Sequence, residues 1–388
     1  MTMNLSDLAR KRVAVAAYYF VPGVVFASWA SRIPDVKHLL HFSNGQLGSV
    51  LFAIPIGQLL MMAFSGILVT KFGSKRMLVL CELFYALALL SIGFSNTVFH
   101  LILSLVAFGM MANLMNIATN TQACLLEKMY GRNIMSSFHG LWSLGGFSGG
   151  IIGSVFANTL LPIPVHFGSI LVMSVLVIFI GYHFLVDDQT AAAEEEDVPK
   201  FSLRSIDPVL FLLGLMGFGG MFCEGTVYDW SSVYFSLVVK PDEAFIRAGY
   251  VAGMGAMTLG RFLADGFVTK YGPAKVLKTC GVLILVGLWM AAGLPYLITA
   301  TLGFLLVGFG ISSSVPICYS IAGKLGTMKA SIALTIVSSI SFFGFLVGPP
   351  VIGWLSEATN LRIAISIAAC FGLFIAFIAG KVSKRVEP

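Results

Sequence analysis

The pentapeptide VTKFG at residues 69–73 returns almost unchanged as VTKYG at residues 268–272. The chain has 388 residues, of which 57% are hydrophobic and 11% are charged. Each copy of the pentapeptide follows the second long apolar segment of its half. Basic side chains come soon after each glycine, Lys75 in the first copy and Lys275 in the second. Because the two copies occupy the same place in the order of apolar segments, they predict a parallel internal repeat, with one six-helix unit written twice.

The apolar segments predict a membrane protein. A mean hydropathy of +0.91 leaves too little polar surface to cover a soluble globule. A hydrocarbon core of ~30 Å needs ~20 apolar residues per helix. Twelve segments have about that length: residues 13–31, 46–69, 77–95, 100–126, 134–158, 166–186, 208–235, 246–268, 276–294, 297–321, 330–355 and 361–380. The predicted fold is therefore an all-α membrane protein, with twelve transmembrane helices arranged as two pseudo-symmetric six-helix bundles.

The basic residues predict how these helices are oriented. With a cytoplasmic N-terminus, most of the 24 Lys and Arg residues fall in cytoplasmic loops, as the positive-inside rule requires. The net charge of +6 then follows from topology and does not indicate nucleic-acid binding. Residues 187–207, which include the acidic run EEED at 194–197, form the longest polar interval. They predict a cytoplasmic linker between an N-terminal bundle, residues 1–186, and a C-terminal bundle, residues 208–388.

The loop after the second segment resembles the signature G-x-x-x-D-R-x-G-R-R of the major facilitator superfamily. A threonine replaces the acid and a lysine replaces the arginine, and the second half departs from the signature in the same way. The resemblance implies inner-gate loops, but without the family's loop carboxylate; the threonine hydroxyl can instead cap the next helix. The loop residues are Gly66, Thr70, Lys71, Gly73 and Arg76 in the first half, and Thr269, Lys270 and Gly272 in the second.

Two six-helix halves joined by a central hydrophilic linker also resemble that superfamily. Shorter stretches resemble a group of bacterial inner-membrane facilitators distantly akin to fucose permease: FVPG at 20–23, ASWASRIP at 27–34, FHG at 138–140, EG at 224–225, DW at 229–230 and GPPVIG at 348–353. The resemblance implies alternating access around a central site, often with a proton as the coupling ion. We therefore expect a monomer in the bacterial inner membrane, with both termini cytoplasmic, that binds a small-molecule solute and uses no cofactor or metal.

Two acids in the seventh segment are candidates for proton coupling. An ionisable residue at membrane depth costs at least ~2.5 to 3.5 kcal/mol on insertion scales, so each one needs a partner, a cavity or a function. Glu224 and Asp229 are ~140° apart on a regular helix and share a face only if the helix is broken, whereas Glu224 and Tyr228 share a face directly. Glu224 either carries a proton or binds the solute, or it is half of a permanent ion pair; both interpretations stay open.

Arg32 stands at the predicted outer end of the first helix. The stretch SWAS at residues 28–31 is similar to DWSS at residues 229–232, and the family fold places these two helix ends together. We therefore expect an outer gate in which Arg32 pairs with Asp229 or Glu224. The alternative is that Arg32 extends to lipid phosphate and meets neither acid.

Three further charged residues lie within predicted helices. Arg261 and Asp265 are i,i+4 neighbours and are expected to form a local ion pair, although Arg261 could instead hold an anionic solute. Glu82 lies one turn from the cytoplasmic end of the third helix, where it is expected to reach Lys75 or Arg76.

Uncharged polar residues predict a solute pathway. Asn113, Asn116 and Asn120 lie within ~60° of arc on one face of the fourth helix. Amides at this spacing can bind the hydroxyls of a sugar or polyol, or they can join helix to helix. His139 is a candidate proton shuttle or a structural histidine. Trp142 either stacks on a sugar or packs in the bundle, and Tyr319 of the tenth helix is expected to line the opposite wall.

The sequence contains none of the catalytic motifs that would indicate an enzyme: no nucleophile elbow, HExxH, Walker loop or metal-spaced Cys and His. Three functions compete. The first is a proton-coupled secondary transporter, a symporter for a small polar solute. The second is drug/proton antiport, the efflux of amphipathic or cationic compounds, which the 32 Phe and 17 Met would suit. The third is a membrane sensor or scaffold that does not transport.

Overall fold

The computed structural model describes residues 5–130, 134–159, 161–187, 208–325 and 330–386, and throughout these ranges the regular structure is helical. The helices of the first half are α1 (Leu5–Leu39), α2 (Asn44–Leu51), α3 (Ala53–Phe72), α4 (Ser74–Gly93), α5 (Val98–Tyr130), α6 (Met135–Asn158) and α7 (Ile163–Gly181). Those of the second half are α8 (Pro208–Gly225), α9 (Ser231–Tyr234), α10 (Ala248–Tyr271), α11 (Pro273–Gly293), α12 (Leu297–Lys324), α13 (Ala330–Ala358) and α14 (Leu361–Val386). Of the predicted linker, only Asp187 lies inside the described residues.

Eleven helical stretches among the described residues are long and apolar enough to cross a membrane. The eighth predicted span, residues 246–268, forms α10, which has the length of a span but is not one of those eleven. α10 contains the charged residues Arg261, Asp265 and Lys270 together with several glycines, and these lower its hydropathy. A helix is therefore present at each of the twelve predicted segments. The composition of α10 alone would not identify it as a membrane span.

The second predicted segment, residues 46–69, is broken into α2 and α3 at Phe52. Pro55 lies in the first turn of α3 and has no amide hydrogen to bond the carbonyl of Leu51, four residues earlier. The amide of Phe52 still reaches the Gly48 carbonyl at 3.3 Å, which completes α2. At its other end α2 begins with a capping box, in which Ser43 accepts from the Gln46 amide and Gln46 Oε1 accepts from the Ser43 amide.

The repeated pentapeptide forms the same turn twice. Gly73, between α3 and α4, has φ 84° and ψ 143°, and Gly272, between α10 and α11, has φ 80° and ψ 153°. In each copy the glycine amide donates to the carbonyl of the first valine, Val69 or Val268, at 2.9 Å. Residues other than glycine rarely adopt this backbone conformation. The glycine that ends both copies of the pentapeptide therefore reflects one turn geometry that both halves use.

The chain separates into two compact units. Unit 1 comprises Met1–Leu40 and Ala53–Glu196, and here α1 packs along α6, α3 packs on α5, and α4 packs on α5 and α7. Glycines allow the closest approach: a Cβ on Gly145 would collide with the Phe20 carbonyl oxygen, and one on Gly149 would lie 2.8 Å from the Val24 carbonyl oxygen. The glycine-rich face of α6 therefore serves as the packing surface for α1.

Unit 2 comprises His41–Phe52 and Asp197–Pro388, so it includes α2, which the sequence predicts to belong to the N-terminal bundle. In unit 2, α13 packs on α8 and α2, α11 packs on α12 and α14, and α10 packs on α12. The physical reason for the position of α2 is a glycine contact with α13: a Cβ on Gly48 would lie 2.9 Å from the Gly353 Cα. Two hydrogen bonds fix this contact, from Asn44 to Ser356 Oγ at 2.7 Å and from the Gly45 amide to Glu357 Oε2 at 3.0 Å.

Candidate functional site

Glu224 is the centre of a polar cluster in unit 2. It lies near the end of α8 and is 8% exposed. Its Oε1 accepts a hydrogen bond from the Tyr228 hydroxyl at 2.7 Å and lies 3.4 Å from Arg261 Nη2 of α10. The Tyr228 hydroxyl also lies 3.8 Å from the sulfur of Met257. One carboxylate oxygen is therefore shared by a phenol and a guanidinium in a largely apolar setting.

The helix that carries Glu224 changes its geometry immediately afterwards. Residues Thr226–Trp230 form a π-helical turn, followed by α9 and a second π-helical turn, Phe235–Val239. Hydrogen bonds from i to i+5 widen the helix, so the ~140° separation of a regular α-helix no longer applies between Glu224 and Asp229. Such π turns occur frequently at functional sites, and here one contains both Tyr228 and Asp229.

Asp229 is buried, at 6% exposure, and it interacts electrostatically with Tyr250 of α10. The Tyr250 hydroxyl is buried and has no hydrogen-bond partner among the described residues. The rings of Tyr228 and Tyr250 lie 6.4 Å apart. The direct polar contacts of this region are therefore those of Glu224 with Tyr228 and Arg261, and Tyr250 and Asp229 lie in the same part of unit 2.

Tyr319 of α12 interacts electrostatically with the same carboxylate. It is half-buried and lies near both Glu224 and Ser341. The ring of Phe345, of α13, stands edge-on to that of Tyr228 with centroids 6.2 Å apart. Three helices besides α8 thus contribute side chains around Glu224.

The predicted Arg261–Asp265 pair involves a side chain, that of Asp265, outside the described residues, so the pair stays a prediction. What the structure adds is a partner that the sequence could not indicate, because Glu224 is 37 positions away from Arg261. The Arg261 side chain is 23% exposed and that of Glu224 10%.

In unit 1 the three asparagines of α5 have different partners. The Ser65 hydroxyl of α3 donates to Asn113 Oδ1 at 2.7 Å, so Asn113 joins two helices. Asn120 Nδ2 donates to Asn116 Oδ1 at 2.9 Å, and the Tyr19 hydroxyl of α1 donates to Asn120 Oδ1 at 2.6 Å. Asn116 is exposed and Asn120 half-buried. The stripe therefore contains one amide that joins helices and two that present polar atoms at the surface of unit 1.

Tyr19 connects these amides to the aromatic residues of α6. Its ring stacks on Phe138, with centroids 5.3 Å apart, and meets His139 edge-on at 5.4 Å. His139 is exposed on unit 1, and Trp142, one turn further along α6, lies 6.2 Å from the ring of Phe26. Sequence reasoning missed Tyr19 and Phe138, although the aromatic run YYF at residues 18–20 marks an unusual face of the first helix.

Arg32 is 4% exposed, which contradicts the alternative that it extends to lipid phosphate. Its guanidinium contacts Asp35 Oδ2 at 3.2 Å, His166 Nδ1 at 3.3 Å and the Leu161 carbonyl at 3.4 Å, all in unit 1. His166 is fully buried and stacks on Phe156 at 4.7 Å. The pairing of Arg32 with Asp229 or Glu224 stays a prediction.

Two expectations about the loops and helix ends are wrong. Thr70 lies inside α3, and the cap position of α4 is Gly73, which makes no side-chain capping bond. Glu82 does not reach Lys75 or Arg76, because its side chain is fully buried in unit 1. Lys75 instead lies over the Tyr182 ring, 4.8 Å from its centroid. The described part of the chain has no group of three His, Cys, Asp or Glu residues that could hold a metal ion.

Similarity to curated proteins covers nearly the whole chain. It is 30% identical over 375 residues to an uncharacterised MFS-type transporter of Yersinia pestis, covering 96% of each chain. An uncharacterised transporter of Sinorhizobium fredii is 31% identical over 368 residues, covering 94% of this chain and 96% of that protein. A multidrug resistance protein of Bacillus subtilis is 25% identical over 286 residues, covering 71% of this chain and 69% of that protein.

Solved structures of transporters have the same fold. The nucleoside transporter NupG superposes with a TM-score of 0.72 at 14% identity, covering 96% of this chain and 99% of that one. A bacterial homologue of the human lysosomal transporter Spinster superposes with a TM-score of 0.74 at 13% identity, covering 96% of both chains. The Major Facilitator Superfamily model matches residues 15–333. The multi-pass helical fold, the full-length relatives and this match lead to one conclusion: the chain belongs to the major facilitator superfamily, a family of membrane transporters and not of enzymes.

Proposed function

We propose that this protein is a secondary active transporter, which moves a small polar organic solute across the bacterial inner membrane by alternating access and couples that movement to protons. It would act as a monomer with both termini in the cytoplasm. The observation that carries the proposal is the shared oxygen of Glu224, which both Tyr228 and Arg261 approach.

The geometry around Glu224 suits a group that changes its charge. A strong guanidinium–carboxylate bond is ~2.7 to 2.9 Å long, whereas Arg261 stands 3.4 Å away and is partly exposed. Proton uptake by Glu224 removes its attraction to Arg261, while the Tyr228 hydroxyl can still bond the neutral carboxyl. The cluster can therefore hold Glu224 in either protonation state, and Arg261 then offers its charge to an anionic or hydroxylated part of the solute.

The surface of unit 1 suits the solute. Asn116 and Asn120 present amide groups beside Tyr19, and Trp142 and His139 lie on the neighbouring helix. Amides that both donate and accept, next to aromatic faces, match solutes that combine hydroxyl groups with a flat ring face. Sugars and polyols fit this description, and so do nucleosides, the substrate class named for NupG.

Uptake into proteoliposomes under an imposed pH gradient tests the proposal. Radiolabelled sugars, polyols and nucleosides should be screened first by counterflow, which needs no gradient. A transported solute should become concentrated when the outside is acidic, and Glu224→Gln should abolish concentration while exchange continues. If Glu224→Gln concentrates solute as well as the unchanged protein, Glu224 is a static ion-pair partner.

A second function, efflux of amphipathic cations, is favoured by the aromatic surroundings of the cluster. Phe345 stands edge-on to Tyr228, and Phe218, Phe222 and Phe371 form a connected aromatic group in unit 2. The Bacillus subtilis relative is named for multidrug resistance. Efflux would be supported if a lipophilic cation left the vesicles under a pH gradient while no polar solute exchanged, and absence of flux for every solute would favour the non-transporting sensor.

A further inference from the structure

A buried histidine in unit 1 has no part in the transport function proposed above. His166 lies in the first turn of α7 and is 0% exposed, whereas the other five histidines of the chain are exposed or half-buried. Its Nδ1 atom lies 3.3 Å from Nε of Arg32, a residue of α1 that is only 4% exposed. Because an arginine keeps its charge in proteins, an ionisable ring is buried here in direct contact with a positive charge.

The hydrogen bond from Arg32 defines the charge of the His166 ring. An arginine side chain has only donors, so the imidazole nitrogen that faces it must accept. Only the neutral imidazole has an accepting nitrogen, because both nitrogens of the protonated ring carry hydrogen. In this structure His166 is therefore neutral, with its hydrogen on Nε2. A further proton has to bind Nδ1, where it breaks the bond to Arg32.

The packing of unit 1 holds the His166 ring in this orientation. Phe156 of α6 stacks on the ring with centroids 4.7 Å apart and an interplanar angle of 14°. Phe167 stands on another side, with centroids 5.3 Å apart. A Cβ on Gly153 of α6 would already contact His166 Cε1, 3.5 Å away. A proton on Nδ1 is therefore accommodated by movement of the Arg32 side chain and not by rotation of the histidine.

The Arg32 side chain already has a more exposed partner. Its Nη1 lies 3.2 Å from Asp35 Oδ2, and the Asp35 side chain is 35% exposed, compared with 5% for that of Arg32. Its Nη2 reaches the Leu161 carbonyl, in the connection between α6 and α7, at 3.4 Å. The guanidinium thus joins α1 to this connection and to α7. Loss of the bond to His166 leaves it with Asp35, nearer the surface.

Few other ionisable groups belong to the elements around His166. At this end of α1 they are Arg32, Asp35, Lys37 and His38. Within α7, Ile163–Gly181, His166 is the one ionisable side chain, and α6 has only His139, near its opposite end. α4 approaches the first turn of α7 with Gly93 and has no ionisable residue in its last two turns. Arg32 and Asp35 are therefore the charges that a proton on His166 meets first.

We propose that His166 is a proton-binding site that controls the position of Arg32. While His166 is neutral, Arg32 is bound to α7. When His166 is protonated, the two like charges repel each other and Arg32 moves to Asp35. Arg32 is the residue that the sequence predicts for the outer gate, so a proton would decide whether the gate residue is held inside unit 1. The proposal goes beyond the transport function above, because it rests on contacts within unit 1 and not on Glu224.

Nitrogen NMR of the purified full-length protein in lipid tests the site without a solute. With the other five histidines replaced by Gln, labelled His166 gives the imidazole signals alone. Between about pH 8 and pH 5, the range in which histidine changes its charge, Nδ1 should gain a hydrogen while Nε2 keeps its own. If the fivefold variant does not fold, the signals of His166 are those that His166→Asn removes from the labelled unchanged protein. If Nδ1 stays without hydrogen until the protein unfolds, His166 is a permanently neutral structural residue and the proposal is wrong.

Hydrogen exchange tests the link to Arg32. His166→Asn is the matched control at each pH, because it keeps an acceptor near the position of Nδ1 but takes up no proton. At about pH 8, the end of α1 and the turn at Leu161 should exchange alike in the two proteins. At about pH 5 the unchanged protein should exchange about tenfold faster, the factor expected for one hydrogen bond to a charged group. The same comparison in an Arg32→Gln background should show no difference. Equal exchange at both pH values would show that His166 does not control Arg32.

Discussion

At the residue scale, Glu224 is the position where two partners with different charge share one oxygen atom. Replacement of Arg261 by Met removes the guanidinium from the buried carboxylate, which keeps its hydrogen bond from the Tyr228 hydroxyl. Because both side chains retain some exposure, we expect a loss of about 1 to 3 kcal/mol in unfolding free energy. Glu224→Gln in the same chain should recover part of this loss, since no unpaired charge then remains.

A double-mutant cycle on thermal unfolding in detergent measures this coupling, expected at about 0.5 to 3 kcal/mol. Arg362→Met serves as the matched control, because the side-chain hydrogen bonds of Arg362 within the described residues go to the Ala292 and Gly293 carbonyls and not to Glu224. Additive losses for Arg261→Met and Glu224→Gln would show that the 3.4 Å contact contributes nothing.

The second prediction at this scale concerns Tyr19. Tyr19→Phe keeps the ring that stacks on Phe138 but removes the hydroxyl bonded to Asn120. Stability should fall by only about 1 kcal/mol, the typical value of one hydrogen bond. The apparent affinity for a transported solute should fall severalfold, as measured by the concentration dependence of counterflow. Ser65→Ala, which breaks the bond to Asn113 between α3 and α5, should lower stability by a similar amount but leave the affinity unchanged.

At the element scale, the repeated turns at Gly73 and Gly272 have a conformation that an alanine strains. Gly73→Ala and Gly272→Ala should each cost about 1 to 3 kcal/mol, as other residues held at unfavourable φ and ψ do. Gly66→Ala is the matched control, because a Cβ there meets nothing within 4 Å and the residue lies inside α3. Equal unfolding temperatures for Gly66→Ala and Gly73→Ala would mean that the turn does not require glycine.

Elements also show how far the sequence determines this structure. The pentapeptide and the apolar segments predict the repeat and the helix order, because both depend on local pattern. The π turn at Thr226–Trp230 could not be predicted, since i→i+5 bonding leaves no periodicity in the sequence. The interpretation of Glu82 failed for a related reason: spacing along one helix gave Lys75 as a partner, whereas packing against α1 and α7 buries the acid. Likewise, only the tertiary fold could bring Arg261 to Glu224.

At the scale of the whole molecule, the break at Phe52 gives one stretch of the first half to unit 2. α2 is held on α13 by the Gly48–Gly353 contact and the Asn44–Ser356 bond, while α3 belongs to unit 1. If the two halves of the sequence move during transport, either α2 separates from α13 or the chain bends at Phe52. Asn44→Cys with Ser356→Cys distinguishes these possibilities, because a disulfide between them locks α2 on α13.

If α2 has to leave α13 during the alternating access proposed above, oxidation of this cysteine pair should stop counterflow and a reductant should restore it; this is the outcome that we expect. The pair belongs in a background in which the six native cysteines are replaced, and each single cysteine should transport normally under oxidant. Full counterflow in the locked protein would instead make Phe52 the hinge. Replacing Pro55 by Ala should then impair transport, because it restores the amide that can bond the Leu51 carbonyl and join α2 to α3 as one straight helix.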